Sequence, residues 1–157
     1  MNFNLSKKIL YFIPSIIVMI IIFIMSADPV SGEKSSNIVK IIFNLLNSLF
    51  SINFKPEDEY TASFIVRKIA HISEYMILTF SYYYGFSKYK QNFKKNYSYA
   101  IFLAFLYAIS DEYHQTFVAG RVGTYEDVLI DSVGMLTGYF ILKYYFLLTN
   151  KIIKSFK

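Results

Sequence analysis

The chain has no cysteine, so disulfides, thiolate metal sites and cysteine nucleophiles are excluded. Charge is scarce: charged residues make up 17% of the sequence, where ordinary soluble domains carry about 25%. No internal repeat or low-complexity segment stands out. A basic face with nucleic-acid-reading elements is also missing, although the formal net charge is +5; nucleic acid is not an expected partner. What fills the chain instead is apolar. Hydrophobic residues take 55% of 157 positions, mean hydropathy is +0.37, and the length suits a single domain, 1–157.

A bilayer core needs about 20 mostly apolar helical residues. Four stretches qualify by composition: 9–27, 64–86, 97–118 and 127–148. Pro14 lies one turn into the first and is expected to bend it without forbidding it. A cleaved signal peptide beginning at Lys7 and Lys8 is the alternative. Against it, the apolar run exceeds the usual length, and Met25 stands where a cleavage site wants a small residue. The stretch 35–52 differs. Asn37, Lys40, Asn44, Asn47, Ser48 and Ser51 recur every three or four residues, and Ile38, Ile41, Ile42, Leu45, Leu49 and Ile52 fill the opposite side. That period predicts an amphipathic helix, either lying in the membrane interface or capping the bundle. The predicted fold is all-α: a polytopic membrane helical bundle of four transmembrane helices plus one amphipathic interfacial helix.

Four spans put both termini on one side. Lys7, Lys8, Lys88, Lys90, Lys94, Lys95, Lys143, Lys151, Lys154 and Lys157 fall there, ten of the sixteen basic residues, while all eleven acids fall on the other. The positive-inside rule makes the basic side cytoplasmic. The basic balance is thus a signal of topology, and the expected location is the bacterial cytoplasmic membrane, multi-pass, with both termini cytoplasmic.

Three spans carry ionisable groups at their outer ends. Arg67, His71 and Glu74 are spaced i, i+4, i+7 and share one helix face, with Lys68 beside them. Asp111, His114 and Gln115 share another face, next to Glu112. Asp127, Asp131, Gly134 and Gly138 form a third stripe. An ionised side chain at mid-bilayer costs roughly 2.5–3.5 kcal/mol even on the milder insertion scales. These groups are therefore expected to face inward, around one polar cleft open to the outer face.

Plainer roles stand beside the functional ones. The Arg67–His71–Glu74 stripe would also serve as a salt bridge locking helices. Thr124 to Asp127 fits a capping box. Gly134 and Gly138 read as a close helix-packing face. Arg121, flanked by Gly120 and Gly123, suits an interfacial anchor or an anionic headgroup. His71 with Glu74, and Asp111 with His114, offer two nitrogen–oxygen pairs for a divalent metal, zinc or manganese. No cofactor is otherwise specified. A Ser110 nucleophile lacks the sharp turn such a residue needs.

Lys68, His71, Glu74 and Tyr75, in the pattern K-x-x-H-x-x-E-Y, resemble the VanZ-like family. So do Asp111, Glu112, Gln115, Phe117, Gly120 and Arg121, in the pattern D-E-x-x-Q-x-F-x-x-G-R, and the run from Asp127 through Asp131 and Gly134 to Gly138. Phe23 and Ser26, closing the first span, also fit. The resemblance covers about 9–148. Two positions depart from the pattern: Ala119 stands where many members have proline, and Asp131 where many have asparagine. The second departure adds a charge and removes a neutral amide. The resemblance implies a small multi-spanning membrane protein, of a family named for a protein associated with resistance to teicoplanin, a lipoglycopeptide antibiotic. It implies no reaction.

Three functions follow as expectations. The first is a binding or protective role, in which the outer cleft engages a glycopeptide or lipid-linked cell-wall precursor through Arg67, Lys68, His71, Glu74, Tyr75, Asp111, Glu112, His114, Gln115, Arg121, Asp127 and Asp131. The second is an intramembrane enzyme acting on a lipid or lipid-linked substrate, with His71, Glu74, Asp111 and His114 as catalytic candidates. The third is a structural or partner subunit. The sequence does not set the oligomeric state.

Overall fold

The structure, a computed structural model, describes residues 9–50, 54–89 and 92–155. Among these residues the chain is all-helical and has no strand. A 3₁₀ turn, Leu10–Phe12, leads into α1, Ile13–Ser26. Then come α2, Ser31–Phe50; α3, Pro56–Ser87; α4, Phe93–Gln115; and α5, Tyr125–Ser155.

Four of the five starts have a local cause. Pro14 begins α1 instead of bending a longer helix, because proline lacks the N–H that the first turn leaves unbonded. Pro56 does the same for α3, followed by Glu57, Asp58 and Glu59 in its first turn, where negative charge meets the positive end of the helix dipole. Asp58 accepts a 2.8 Å hydrogen bond from the Lys55 amide. Asn92 caps α4 by accepting from the Lys95 amide at 2.9 Å. Thr124 caps α5, its hydroxyl accepting from the Asp127 amide at 3.2 Å.

The expected spans map unevenly onto these helices. The stretch 64–86 lies inside α3, which reaches back to Pro56, and 97–118 overruns α4, which stops at Gln115. The stretch 35–52 corresponds to α2, though 51–52 lie outside the described residues. Lys7, Lys8, Lys90 and Lys157 also lie outside them, as do the side chains of Lys151 and Lys154. Among the described residues no helix is both long and apolar enough to cross a membrane. α1 is almost wholly apolar, but its 14 residues span about 21 Å against a hydrocarbon core of about 30 Å. α3 and α5, at 32 and 31 residues, have length to spare but carry polar and charged groups along it.

α3 is the central helix, and every other helix packs on it. Ala100, Ala104 and Ala108 of α4 are fully buried, a row of small side chains that lets α4 lie close to its neighbours. Gly134 of α5 goes further: a Cβ there would stand 2.1 Å from the Ile72 carbonyl oxygen of α3. The two backbones touch, three residues after Asp131. At Gly138 a Cβ would meet the Tyr97 hydroxyl at 2.7 Å and the Phe80 ring at 2.9 Å. The core that results holds Ile22, Tyr75, Leu78, Tyr82 and Met135 around the alanine row.

Candidate functional site

Above that core, the same helices bury polar groups. Asp131 is 0% exposed, Asp111, Glu112 and Gln115 are 3–4% exposed, and His71 is 9% exposed. The alanine row of α4 runs directly into Asp111, Glu112 and Gln115, so the close approach set by Ala108 brings three polar side chains against α3 and α5.

Gln115 ties two carboxylates together. Its amide nitrogen donates to Asp111 Oδ2 at 3.1 Å and to Glu112 Oε1 at 3.2 Å. The other Glu112 oxygen accepts from the Thr124 backbone amide at 3.0 Å. That contact needs Gly123, where a Cβ would stand 1.9 Å from the Glu112 carbonyl oxygen. Across the bundle, His71 Nδ1 lies 3.3 Å from Asp131 Oδ1. The two are within ion-pair distance, and neither Asp131 oxygen accepts a hydrogen bond from any described residue. Ligand-bearing atoms of His71, Glu112 and Asp131 all fall within 4.8 Å of one another.

A cavity of about 290 Å³ lies on the α1–α2 side of this cluster. Met25, Ser26 and Asp28 line it from the end of α1; Lys34, Ser35 and Ile38 from α2; Arg67, Ala70, His71 and Glu74 from α3; Asp111 from α4; and Arg121 from the following loop. Its lining mixes both charge signs. At one edge Lys34 pairs with Asp28, which also accepts from the Val30 amide at 3.0 Å. The Lys34 contact, then the Val30 amide, hold the Asp28 carboxyl below its usual value, and Arg121 adds to the effect.

A family model described as VanZ/LLP1 matches residues 11–148, a stretch that contains every residue of the cavity and the cluster. The chain belongs to the VanZ/LLP1 family. No curated protein and no solved structure matches it. In this VanZ/LLP1 chain the first motif lies on α3, the second runs from the end of α4 into the loop, and the third opens α5.

The fold brings some of the candidate residues together and separates others. Arg67, His71, Glu74, Asp111 and Arg121 share the cavity. Lys68 turns away from it to pair with Asp127 at the start of α5. Glu112 and Asp131 join His71 behind the cavity wall. Tyr75 is sealed in the core at 0% exposure and is not among the cavity residues. His114 packs against Phe23 of α1, ring centroids 4.6 Å apart and planes tilted by 33°. Of the two nitrogen–oxygen pairs suggested by spacing, His71 and Glu74 both line the cavity, whereas His114 lies on Phe23 and does not line it with Asp111; His71 is also grouped with Glu112 and Asp131. Ser110 is exposed and its hydroxyl donates to the Tyr107 carbonyl at 2.8 Å.

Sequence reasoning missed Asp28 and Lys34. Their signal was the turn at Asp28-Pro29 directly after an apolar run. Nothing local reveals that this turn faces residues near position 70 and position 121.

Proposed function

We propose that this VanZ/LLP1 protein is a multi-spanning protein of the bacterial cytoplasmic membrane. Its cavity opens on the extracytoplasmic face and engages the charged part of an amphipathic envelope molecule, either a glycopeptide antibiotic or lipid-linked cell-wall material. In that role it contributes to teicoplanin resistance.

The observation that carries this reading is an inversion of polarity. Ile16, Ile17, Ile20, Ile21 and Ile24 of α1 are 47–63% exposed, while Asp131 is 0% exposed. Water-soluble domains bury isoleucine and expose aspartate; lipid reverses that preference, and ionisable groups then gather inside the bundle. Family membership points the same way, since the VanZ-like resemblance implies a small multi-spanning membrane protein.

α2 adds a second support. Val39, 2% exposed, is its point of close packing, whereas Ile38, Ile41, Leu45 and Leu49 remain 54–68% exposed. A helix that capped the bundle would turn that row inward. A helix lying in the interface turns it toward acyl chains.

The cavity's size limits what enters. At about 290 Å³ it is at the lower edge of ligand pockets, which run from about 300 Å³ upward. It suits a carboxylate- or phosphate-bearing headgroup with the rest of the molecule outside, and guanidinium groups such as those of Arg67 and Arg121 match such anions in a planar, two-point manner. An enzyme acting on a lipid-linked substrate is the second reading, favoured by the His71–Asp131 contact directly behind that cavity.

The test is teicoplanin susceptibility of a sensitive Gram-positive host expressing wild type or Asp111→Asn, with membrane levels measured in parallel. Protection by wild type that is lost in the variant at equal abundance supports the proposal. No protection by well-inserted wild type removes the antibiotic role. Turnover of lipid-linked substrate by purified protein would then favour the enzyme, and a variant that only lowers protein level would favour a structural subunit.

A further inference from the structure

We infer that His71, Glu112 and Asp131 form a binding site for one divalent transition-metal ion, zinc by preference and manganese next. The three residues come from α3, α4 and α5 and are all buried, with ligand-bearing atoms within 4.8 Å of one another. A point equidistant from three atoms that far apart lies about 2.8 Å from each, and zinc bonds to nitrogen and oxygen are about 2.0–2.2 Å. Shifts of less than about 1 Å in each ligand atom would therefore bring all three to bonding distance.

A second observation points to a ligand. Asp131 is 0% exposed, and neither of its carboxylate oxygens accepts a hydrogen bond from any described residue; its one close partner, His71 Nδ1 at 3.3 Å from Oδ1, is itself a member of the cluster. A buried carboxylate without donors is costly. Two carboxylates sharing a dry site also repel, and a divalent cation between them relieves both problems at once. The imidazole selects the ion. An all-oxygen set would suit magnesium or calcium, whereas one nitrogen with two carboxylate oxygens suits zinc or manganese.

Glu112 is already held for the task. Gln115 Nε2 at 3.2 Å and the Thr124 amide at 3.0 Å fix its two oxygens while leaving a lone pair on each. Metal sites use outer hydrogen bonds of this kind to orient their carboxylates. With three protein ligands, a four-coordinate ion keeps one open position, as in sites where zinc carries a water or a substrate atom. His71 belongs to both the cluster and the cavity, so the ion would lie at the cavity's inner wall.

This inference stands apart from the antibiotic role, because metal content is read with no antibiotic or lipid substrate present. The full chain, purified in detergent and stripped with chelator, is equilibrated with Zn²⁺ and assayed by elemental analysis. A parallel sample is loaded with Co²⁺ and its visible spectrum recorded. Wild type is expected to retain about one zinc per chain, with an affinity that falls at low pH as the ligands protonate. Asp131→Asn and Glu112→Gln each weaken binding well beyond tenfold, and Gln115→Ala, which only positions Glu112, weakens it about 10–100-fold. His114→Gln leaves it unchanged. Absence of stoichiometric zinc and of a cobalt spectrum in wild type that is helical and monodisperse would overturn the site. So would unchanged binding in both ligand variants. Should those variants fail to fold, the cobalt spectrum of wild type decides, since nitrogen–oxygen ligation in a low-symmetry site differs from hydrated cobalt in both intensity and position.

Discussion

The same three helices, α3, α4 and α5, behave differently at their two ends. Toward the start of α4, Tyr83, Phe93, Tyr97, Tyr139 and Phe146 pack ring against ring, with centroids 5.2–6.4 Å apart. The Tyr97 hydroxyl donates to the Met135 carbonyl at 2.8 Å, so even the polar tip of that ring is satisfied. Toward the end of α4 the helices enclose His71, Glu112, Asp131 and Asp111 instead, and among the described residues neither Asp131 oxygen accepts a hydrogen bond, with His71 Nδ1 3.3 Å from Oδ1. One end is built for stability and the other holds groups whose burial opposes it. That division is expected where a site must keep reactive side chains dry and in place.

The largest effect comes from breaking the stable end. Tyr97→Ala should destabilise the protein by about 3–5 kcal/mol, the range for a large buried aromatic. The drop is visible as lost folded protein in detergent and a lowered melting temperature. Asp131→Asn tests the other end and should act with the opposite sign. Without metal, the Asp131 carboxylate accepts no hydrogen bond from the described residues and has the His71 ring nitrogen 3.3 Å away; exchanging this buried charge for a neutral amide is expected to stabilise by about 1 kcal/mol, raising the melting temperature by about 2–4 °C for a chain of this size. Adding zinc should raise wild type and leave the variant unmoved, since only a bound ion shifts the folding equilibrium. A metal-free variant less stable than wild type would show that Asp131 holds the fold together, and the contrast between the ends would fail.

The smallest effect lies at the cavity edge. Lys34 and the Val30 amide depress the Asp28 carboxyl. The resulting stabilisation is fully present above the free-carboxylate value, near about pH 4, and is lost only as pH falls through the lower folded value. Melting curves of wild type and Asp28→Asn should therefore run parallel from neutral pH down to about pH 4 and converge below it. Both partners are partly exposed, so the gap should be small.

Much of this arrangement was legible in the sequence, and the limit has a physical cause. The spacing of Arg67, His71 and Glu74 placed all three on one helix face, and α3 brings all three to one cavity. The Thr124–Asp127 signature marks where α5 begins. What spacing does not supply is which neighbour each residue meets. Asp111 and Glu112 are about 100° apart around α4, and both are buried because helices press on that end from more than one side. Asp111 reaches the cavity while Glu112 reaches His71 and Asp131. His114, one turn beyond Asp111, finds Phe23 of α1, a contact between distant parts of the chain that no local pattern encodes. Pro14 shows the converse: its residue type was plain, but whether it bends a helix or starts one depended on how the preceding turn folded. Mean hydropathy was the bluntest guide, because it adds up side chains without asking which way they face.

Thr124 has a mechanical consequence. Its hydroxyl caps α5 and its backbone amide holds Glu112 of α4, so one residue pins two helices at a single point. Gly123 beside it leaves no slack, with its backbone pressed on the Glu112 carbonyl. The last turn of α4 and the first turn of α5 therefore travel as one piece, like two spokes fixed to a common hub. A pull on the loop at Arg121, three residues away and on the cavity wall, is delivered to the carboxylate of Glu112 without passing through the hydrophobic core.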